Sequence, residues 1–204
     1  MSDIQERIGI FGGTFDPFHV GHLAIIDEVL NRKLVDSISI VPTIVNYHRL
    51  GKDKWLTNAK KFEVISSVIS KSKNYNNIFL DLYEVRMKNA GKITEEQAKN
   101  WRFINTLERL ESWFKNANVE LYTIIGTDSL RNFKTWHRWN DILSKSKIIG
   151  VEGRNGETIE TDIPYIPVKI DDKYQHISSS EIRKKYTDIR KYLKDTLKQL
   201  DNQN

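Results

Sequence analysis

The sequence predicts an open α/β fold, a parallel sheet covered by helices on both faces. Three observations carry that expectation. Apolar segments of strand length alternate with stretches of helical period along most of the chain. The strand-like segments are short, nearly continuous and rich in β-branched residues, as strands buried on both faces tend to be. Glycines follow directly on two of them, at Gly12–Gly13 and Gly126, beyond the carboxyl ends of strands, where such sheets bind ligands.

Taken in order, strands are expected at 8–11, 38–42, 78–85, 119–126, 147–151 and 165–168. Between them, 20–33 carries Leu23, Ile26, Val29 and Leu30 on one helical face, and 58–71 carries Phe62, Ile65, Val68 and Ile69. The stretch 95–116 reads as a third helix through Phe103, Leu107, Leu110 and Phe114. A last helix over 178–200 is expected, with Ser180 as its cap. Segments 86–97 and 153–162 read as irregular insertions, and 201–204 as a frayed end. Neither an internal repeat nor a low-complexity linker interrupts the pattern, so 1–204 reads as one domain, with the C-terminal helix part of it.

Composition narrows the class. The chain has 204 residues, 39% hydrophobic and 29% charged, enough to bury a core. No apolar run reaches the roughly 18–20 residues that span a bilayer, and residues 1–7 have no signal-peptide core, so a cytoplasmic protein with no membrane partner is expected. With no cysteine, disulfides, thiolate chemistry and Cys-based zinc sites are excluded. The net charge of +5 permits an anionic partner. Much of it lies in Arg183, Lys184, Lys185, Arg190, Lys191, Lys194 and Lys198, interleaved with apolar residues as on the wet face of a packed helix. A nucleic-acid partner is therefore not expected, and a homo-oligomer is compatible with the sequence.

The densest chemistry lies in 12–22. Gly12 and Gly13 let the backbone approach a ligand and expose its N–H groups, and the following helix aims its positive end at the same place. His19 and His22, three apart at that helix start, can face one anion, and Gly21 removes a side chain between them. Neither G-x-G-x-x-G nor G-x-x-x-x-G-K-[ST] is present. The histidine pair lacks both the zincin glutamate and a nearby third ligand, so no protein metal site is expected.

The run Gly12-Gly13-Thr14-Phe15-Asp16-Pro17, followed by His19, Gly21 and His22, resembles the signature of the nucleotidyltransferase superfamily with an H-x-G-H motif. Its G-G-T-F-D-P form is similar to that of the bacterial nicotinate mononucleotide adenylyltransferases; pantetheine-phosphate and cytidylyl enzymes share the outline. Ile177-Ser178-Ser179-Ser180-Glu181-Ile182-Arg183 resembles the superfamily's closing I-S-S-T-x-I-R. Gly126-Thr127-Asp128-Ser129-Leu130 and the later Thr135-Trp136-His137-Arg138-Trp139 resemble its G-x-D-x-L and T-W-x-x-W region.

The resemblance implies a Rossmann-like sheet of nucleotidyltransferase type. It implies adenylyl transfer from ATP to nicotinate mononucleotide, giving nicotinate adenine dinucleotide and pyrophosphate in NAD biosynthesis. His19, His22 and Arg183 would be catalytic. The ATP phosphates would meet Gly12, Gly13, Thr14, Phe15 and Gly21 on one side, His48 and Arg49 on another, and Ile177, Ser179 and Ser180 opposite. Asp128, Trp136, Arg102 and Thr106 would hold the pyridine nucleotide, with Trp136 stacked on the ring and Trp139 packing. Magnesium would travel on the ATP phosphates.

Two stretches depart from the family pattern. After the second strand the family commonly has P-P-H-K, and here Asn46-Tyr47-His48-Arg49 stands. Where it has S-Y-T-x-D-T-L, this chain reads Trp101-Arg102-Phe103-Ile104-Asn105-Thr106-Leu107. The second stretch leaves open whether the acceptor is the acid or the amide mononucleotide. A different phosphorylated acceptor, a nucleotide-binding sensor without turnover, and a basic RNA-binding module are the competing readings.

Overall fold

A computed structural model of the chain describes residues 5–43, 55–152 and 159–202. Six parallel strands form one sheet in the order β3-β2-β1-β4-β5-β6. They are β1 (Glu6–Gly13), β2 (Ser37–Pro42), β3 (Ile78–Leu80), β4 (Val119–Ile125), β5 (Lys147–Val151) and β6 (Ile166–Val168). β1 is central, with Ile10 opposite Ser39 of β2 on one side and Thr123 of β4 on the other. The chain runs outward from β1 through β2 to β3, then returns to β4 on the opposite side. The strand order therefore reverses between β1 and β4, and the crevice opened there is where an α/β sheet holds its ligand.

The ten helices of the described residues are α1 (Val20–Asn31), α2 (Asn58–Ile69), α3 (Tyr83–Asn89), α4 (Glu95–Asn100), α5 (Phe103–Trp113), α6 (Thr127–Arg131), α7 (Trp139–Lys145), α8 (Asp172–Gln175), α9 (Ser179–Lys185) and α10 (Ile189–Asp201). Side chains alternate across each strand, and two separate cores result. Ile38 and Ile40 pack with Ile26 and Val29 of α1, Ile65 and Val68 of α2, and Tyr192 and Leu200 of α10. On the other face Ile8, Ile10, Leu121 and Ile125 pack with Ile104 and Leu107 of α5 and Ile142 of α7. Among the described residues no helix is long and apolar enough to cross a membrane.

The structure corrects four expectations. The strand expected over 78–85 ends at Leu80, because the Asp81 side chain accepts the Tyr83 N–H at 2.8 Å and starts α3. The insertion expected to be irregular over 86–97 is largely helical: α3 runs to Asn89, a turn with Gly91 at φ 66° follows, and Thr94 and Gln97 cap α4 reciprocally. The helix expected over 95–116 breaks at Trp101–Arg102, where Arg102 is extended and its N–H goes to Asn105 Oδ1 at 2.8 Å to begin α5. The helix expected over 178–200 is two helices. Ser178, rather than Ser180, caps α9, and after an extended Tyr186 the Asp188 side chain caps α10.

One buried ion pair ties the inserted helices to the sheet. Asp81, just past β3, pairs with Arg109 of α5, both side chains about nine-tenths buried. The guanidinium lies between the rings of Tyr83 and Trp113, 4.4 and 4.2 Å from their centroids. Arg109 Nε and Nη1 have no acceptor among the described residues, so Asp81 is the counter-charge of a cation enclosed by aromatics. Removing one partner of such a pair leaves an uncompensated buried charge. Asp81→Ala is expected to lower the urea-unfolding free energy by about 3–5 kcal/mol; a loss below about 1 kcal/mol would reduce the pair to a surface contact.

Candidate functional site

β1 delivers Gly12 and Gly13 to the carboxyl edge of the sheet, and the chain then loops through Thr14–His19 before α1 begins at Val20. The loop is tight. A Cβ on Gly13 would stand 2.7 Å from the Phe15 ring, and one on Gly21 would stand 3.1 Å from His19 Nδ1 and 3.3 Å from the Tyr174 carbonyl. Phe15 takes a left-handed backbone, φ 46°, costing about 1–2 kcal/mol for a residue with a side chain. Its ring offsets that cost, being buried with centroids 5.4, 5.3 and 5.1 Å from those of Phe11, Phe18 and His22.

The loop's polar groups are bonded to distant parts of the chain. The buried Asp16 carboxylate accepts the N–H groups of Trp55 and Leu56 at 3.3 and 3.0 Å. Three successive carbonyls are then taken by the C-terminal helices. Arg183 Nη1 donates to the Asp16 carbonyl, Ser179 Oγ to that of Pro17 at 2.9 Å, and the Tyr192 hydroxyl to that of Phe18 at 2.7 Å. The Asp16–Pro17 peptide is cis.

His19 is the N-cap residue of α1 and His22 lies one turn in. Their rings stack with centroids 3.6 Å apart and planes 21° from parallel. The backbone N–H of His19 donates to His22 Nδ1 at 3.2 Å. Nδ1 of His22 is thus an acceptor, which puts the proton of a neutral ring on Nε2. Burial pushes His19 down to about 3, and burial together with the adjacent His19 holds His22 well below the ordinary histidine value. At neutral pH the site therefore presents two uncharged imidazoles. The first turn of α1 carries no acidic residue, so the helix end keeps its positive character toward an anion.

Across the strand-order reversal, Gly126 caps α6 and Thr127, Asp128 and Ser129 follow it. Thr127 Oγ1 donates to the Val151 carbonyl at 2.9 Å, tying the end of β4 to the end of β5. A third wall comes from α8 and the start of α9: Tyr174, Gln175, Ile177, Ser178 and Ser179. Together with Phe11–Phe15, His19, Gly21 and His22 these enclose a cleft of about 750 Å³, within the usual small-molecule range of about 300–1,000 Å³.

Of the residues singled out from sequence, the cleft gathers Gly12, Gly13, Thr14, Phe15, His19, Gly21, His22, Asp128, Ile177 and Ser179. Arg183 and Ser180 stand behind that wall, bonded to each other at 3.2 Å, with Arg183 on the Asp16 carbonyl. Arg102 caps α5, and Thr106, one turn on, is buried and accepts the Trp101 indole N–H at 3.2 Å. Trp136 is half-buried, with centroids 5.5 Å from Phe103 and 5.4 Å from Phe133. These three do not line the cleft, but Phe103 does pack over Gly12 and so joins their cluster to the cleft's rim. Trp139 packs against the α5–α7 core. His48 and Arg49 lie outside the described residues.

Sequence reasoning missed Tyr174, Gln175, Arg131, Val151, Glu152 and Ile170 as cleft residues. Val151 could have been found as the last residue of β5, and Glu152 and Ile170 as residues just past β5 and β6, since the rule of strand carboxyl ends applies to them equally. Tyr174 and Gln175 sit on a four-residue helix with no periodic signal.

Residues 10–185 match the family model described as cytidylyltransferase-like. A Clostridium botulinum protein named "Probable nicotinate-nucleotide adenylyltransferase" is 33% identical over 192 residues, covering 89% of this chain and 86% of its own. The Bacillus subtilis protein named "Nicotinate-nucleotide adenylyltransferase" is 28% identical over 182 residues, with coverage of 89% and 86%. Among solved structures, Plasmodium falciparum nicotinic acid mononucleotide adenylyltransferase complexed with NaAD superposes with a TM-score of 0.69 at 20% identity, over 91% of this chain and 88% of that one. The chain therefore belongs to the cytidylyltransferase-like family, among relatives named nicotinate-nucleotide adenylyltransferases.

Proposed function

We propose that this chain transfers the adenylyl group of ATP to nicotinate mononucleotide, releasing pyrophosphate and forming nicotinate adenine dinucleotide for NAD biosynthesis. The observation that carries the reading is the stacked His19–His22 pair at the start of α1, set between Gly12–Gly13 and the Ile177–Ser179 wall. The names of the relatives set the acceptor, and the NaAD complex of the structural neighbour is consistent with a cleft of this kind.

In this reaction an oxygen of the acceptor's 5′-phosphate attacks the α-phosphorus of ATP. The bond from that phosphorus to the bridging oxygen breaks, and pyrophosphate leaves with the electron pair. No protein nucleophile is needed, so the work is positioning and stabilising shifting charge. His22 donates through Nε2–H and His19 beside it supports the same phosphates. The amides of Gly12–Phe15, the start of α1 and Ser179 add neutral donors, and Arg183 adds a permanent positive charge to the same wall. A magnesium ion carried on the ATP phosphates would supply further charge neutralisation, held by phosphate and water. Asp128 receives ribose hydroxyls, and the pyridine ring lies toward Phe103 and Trp136, with Arg102 and Thr106 at the start of α5 behind it. His48 and Arg49 belong to this reading as further phosphate contacts.

His19→Ala is expected to remain folded and to lose turnover about 100–1000-fold, the usual effect of removing one charge-stabilising donor; near-normal pyrophosphate release would take His19 out of the mechanism. A panel of nicotinate mononucleotide, nicotinamide mononucleotide and phosphopantetheine, each with ATP and magnesium, is expected to give its highest kcat/KM with the first. Absence of pyrophosphate release with all three would sink the assignment.

The buried histidines also set a pH dependence. An unfolded chain protonates His19 near 6.5, whereas the native one does so only near 3. Between those values the unfolded state binds more protons, so native stability falls as pH drops through the window. From pH 7 to pH 5 His19 alone contributes a loss on the order of 2 kcal/mol. Urea unfolding at the two pH values should show a smaller difference for His19→Ala than for the wild type, and equal differences would contradict the burial of a neutral His19.

A further inference from the structure

The peptide group joining Phe18 to His19 is hydrogen-bonded at both ends. Its carbonyl accepts the Tyr192 hydroxyl at 2.7 Å, and its N–H donates to His22 Nδ1 at 3.2 Å. Tyr192 lies on α10, 174 residues along the chain. It is 3% exposed, and burial holds its hydroxyl well above the ordinary tyrosine value, so it stays a donor at any working pH. Thr196, buried one turn further on α10, acts on the same hydroxyl.

A hydrogen bond received at a peptide carbonyl polarises the group and strengthens its N–H as a donor, and bonds in series reinforce one another. Here the series ends on the acceptor nitrogen of His22. The other two carbonyl contacts of the loop lack this property: the Asp16 carbonyl, held by Arg183, belongs to a peptide whose nitrogen is that of Pro17 and carries no hydrogen. Ser179 on the Pro17 carbonyl is one peptide short of the histidine pair.

We propose that Tyr192 is a positioning residue for adenylyl transfer, which through the Phe18–His19 peptide holds His22 as the tautomer that presents Nε2–H to the ATP phosphates. The proposal rests on the reading of His22 as a phosphate donor. Its consequence is that a side chain on the last helix, outside the cleft, sets the hydrogen-bonding polarity of a ring inside it.

The test uses the full chain carrying Tyr192→Phe, which keeps the ring and removes the hydroxyl, with Thr196→Val as a milder second variant. Tyr186→Phe is the control, because that hydroxyl goes to Asp195 at 3.3 Å on the surface. Steady-state rates are read beside ring-nitrogen NMR of the histidines without substrate. For Tyr192→Phe, kcat is expected to fall about tenfold or more, as for residues that orient a site's direct contacts, with KM for ATP within about twofold. The His22 nitrogens should move from a single Nε2–H form toward a mixture of tautomers. Thr196→Val should shift both readouts the same way by less, and it carries the test if Tyr192→Phe fails to fold. An unchanged His22 tautomer in the folded variants overturns the proposal, even if kcat drops. His22→Ala separates the two levels: near-wild-type turnover there removes the donor reading itself, whereas loss of turnover there with an unchanged tautomer in Tyr192→Phe removes only the role of Tyr192.

Discussion

The constraint on which the site depends is the grip of the C-terminal helices on three consecutive carbonyls, those of Asp16, Pro17 and Phe18. The loop between β1 and α1 has no regular backbone pairing of its own across these residues, and Phe15 is held in a costly left-handed conformation. Buried carbonyls need partners. Supplying them from α9 and α10, rather than from water, locks the loop to elements more than 160 residues away. The same contacts seat α9 so that Ser178 and Ser179 face the cleft. One set of hydrogen bonds therefore shapes both the histidine side of the site and the wall opposite.

Burial and electrostatics act together on the histidines. A pair of imidazoles exposed to water would be partly charged near neutrality, and two stacked cations would repel. Packing them under Phe15 and Phe18 keeps both neutral. The site then offers N–H donors at the end of a helix dipole without needing counter-charges to hold it together, and the fixed cation behind the wall, Arg183, is one that cannot lose its proton. On the proposed reading, an arriving polyphosphate meets donors whose geometry is already set, the condition under which electrostatic stabilisation is most effective.

Much of this was legible in the sequence, for identifiable reasons. The strands came through because buried parallel strands are continuous apolar runs, and the reversal between β1 and β4 follows from the order in which they pair. The 12–22 turn and the 177–183 segment were legible because special residues, three glycines, two histidines, three serines and an arginine, fall at strand and helix ends where few roles suit them. What was hidden depends on tertiary contact. Helical period alone carried 95–116 and 178–200 through breaks that are made by single caps, Asn105 and Asp188. Asp81 reads as one more strand residue until Arg109 is brought beside it. Tyr192 shows only as an apolar position on an amphipathic helix; that its hydroxyl reaches Phe18 is decided by the packing of α10 on α1 and α2.

Of the two departures from the family pattern, the one at 101–107 falls among the described residues, at the start of α5. Where small hydroxyl residues would stand before α5, Trp101 turns its indole N–H onto the buried Thr106, and Arg102 caps the helix through Asn105. The inserted α4 ends against this point, so Trp101 is both the end of α4 and the cover of the first turn of α5. Phe103 then carries the change to Gly12 and Trp136. The Gly12–His22 side of the cleft is made of a glycine turn, stacked imidazoles and a clamped loop. β1 and the Phe103 ring link the two, so that, on the proposed reading, the 101–107 segment bears on the far end of the acceptor and the 12–22 loop on the phosphates.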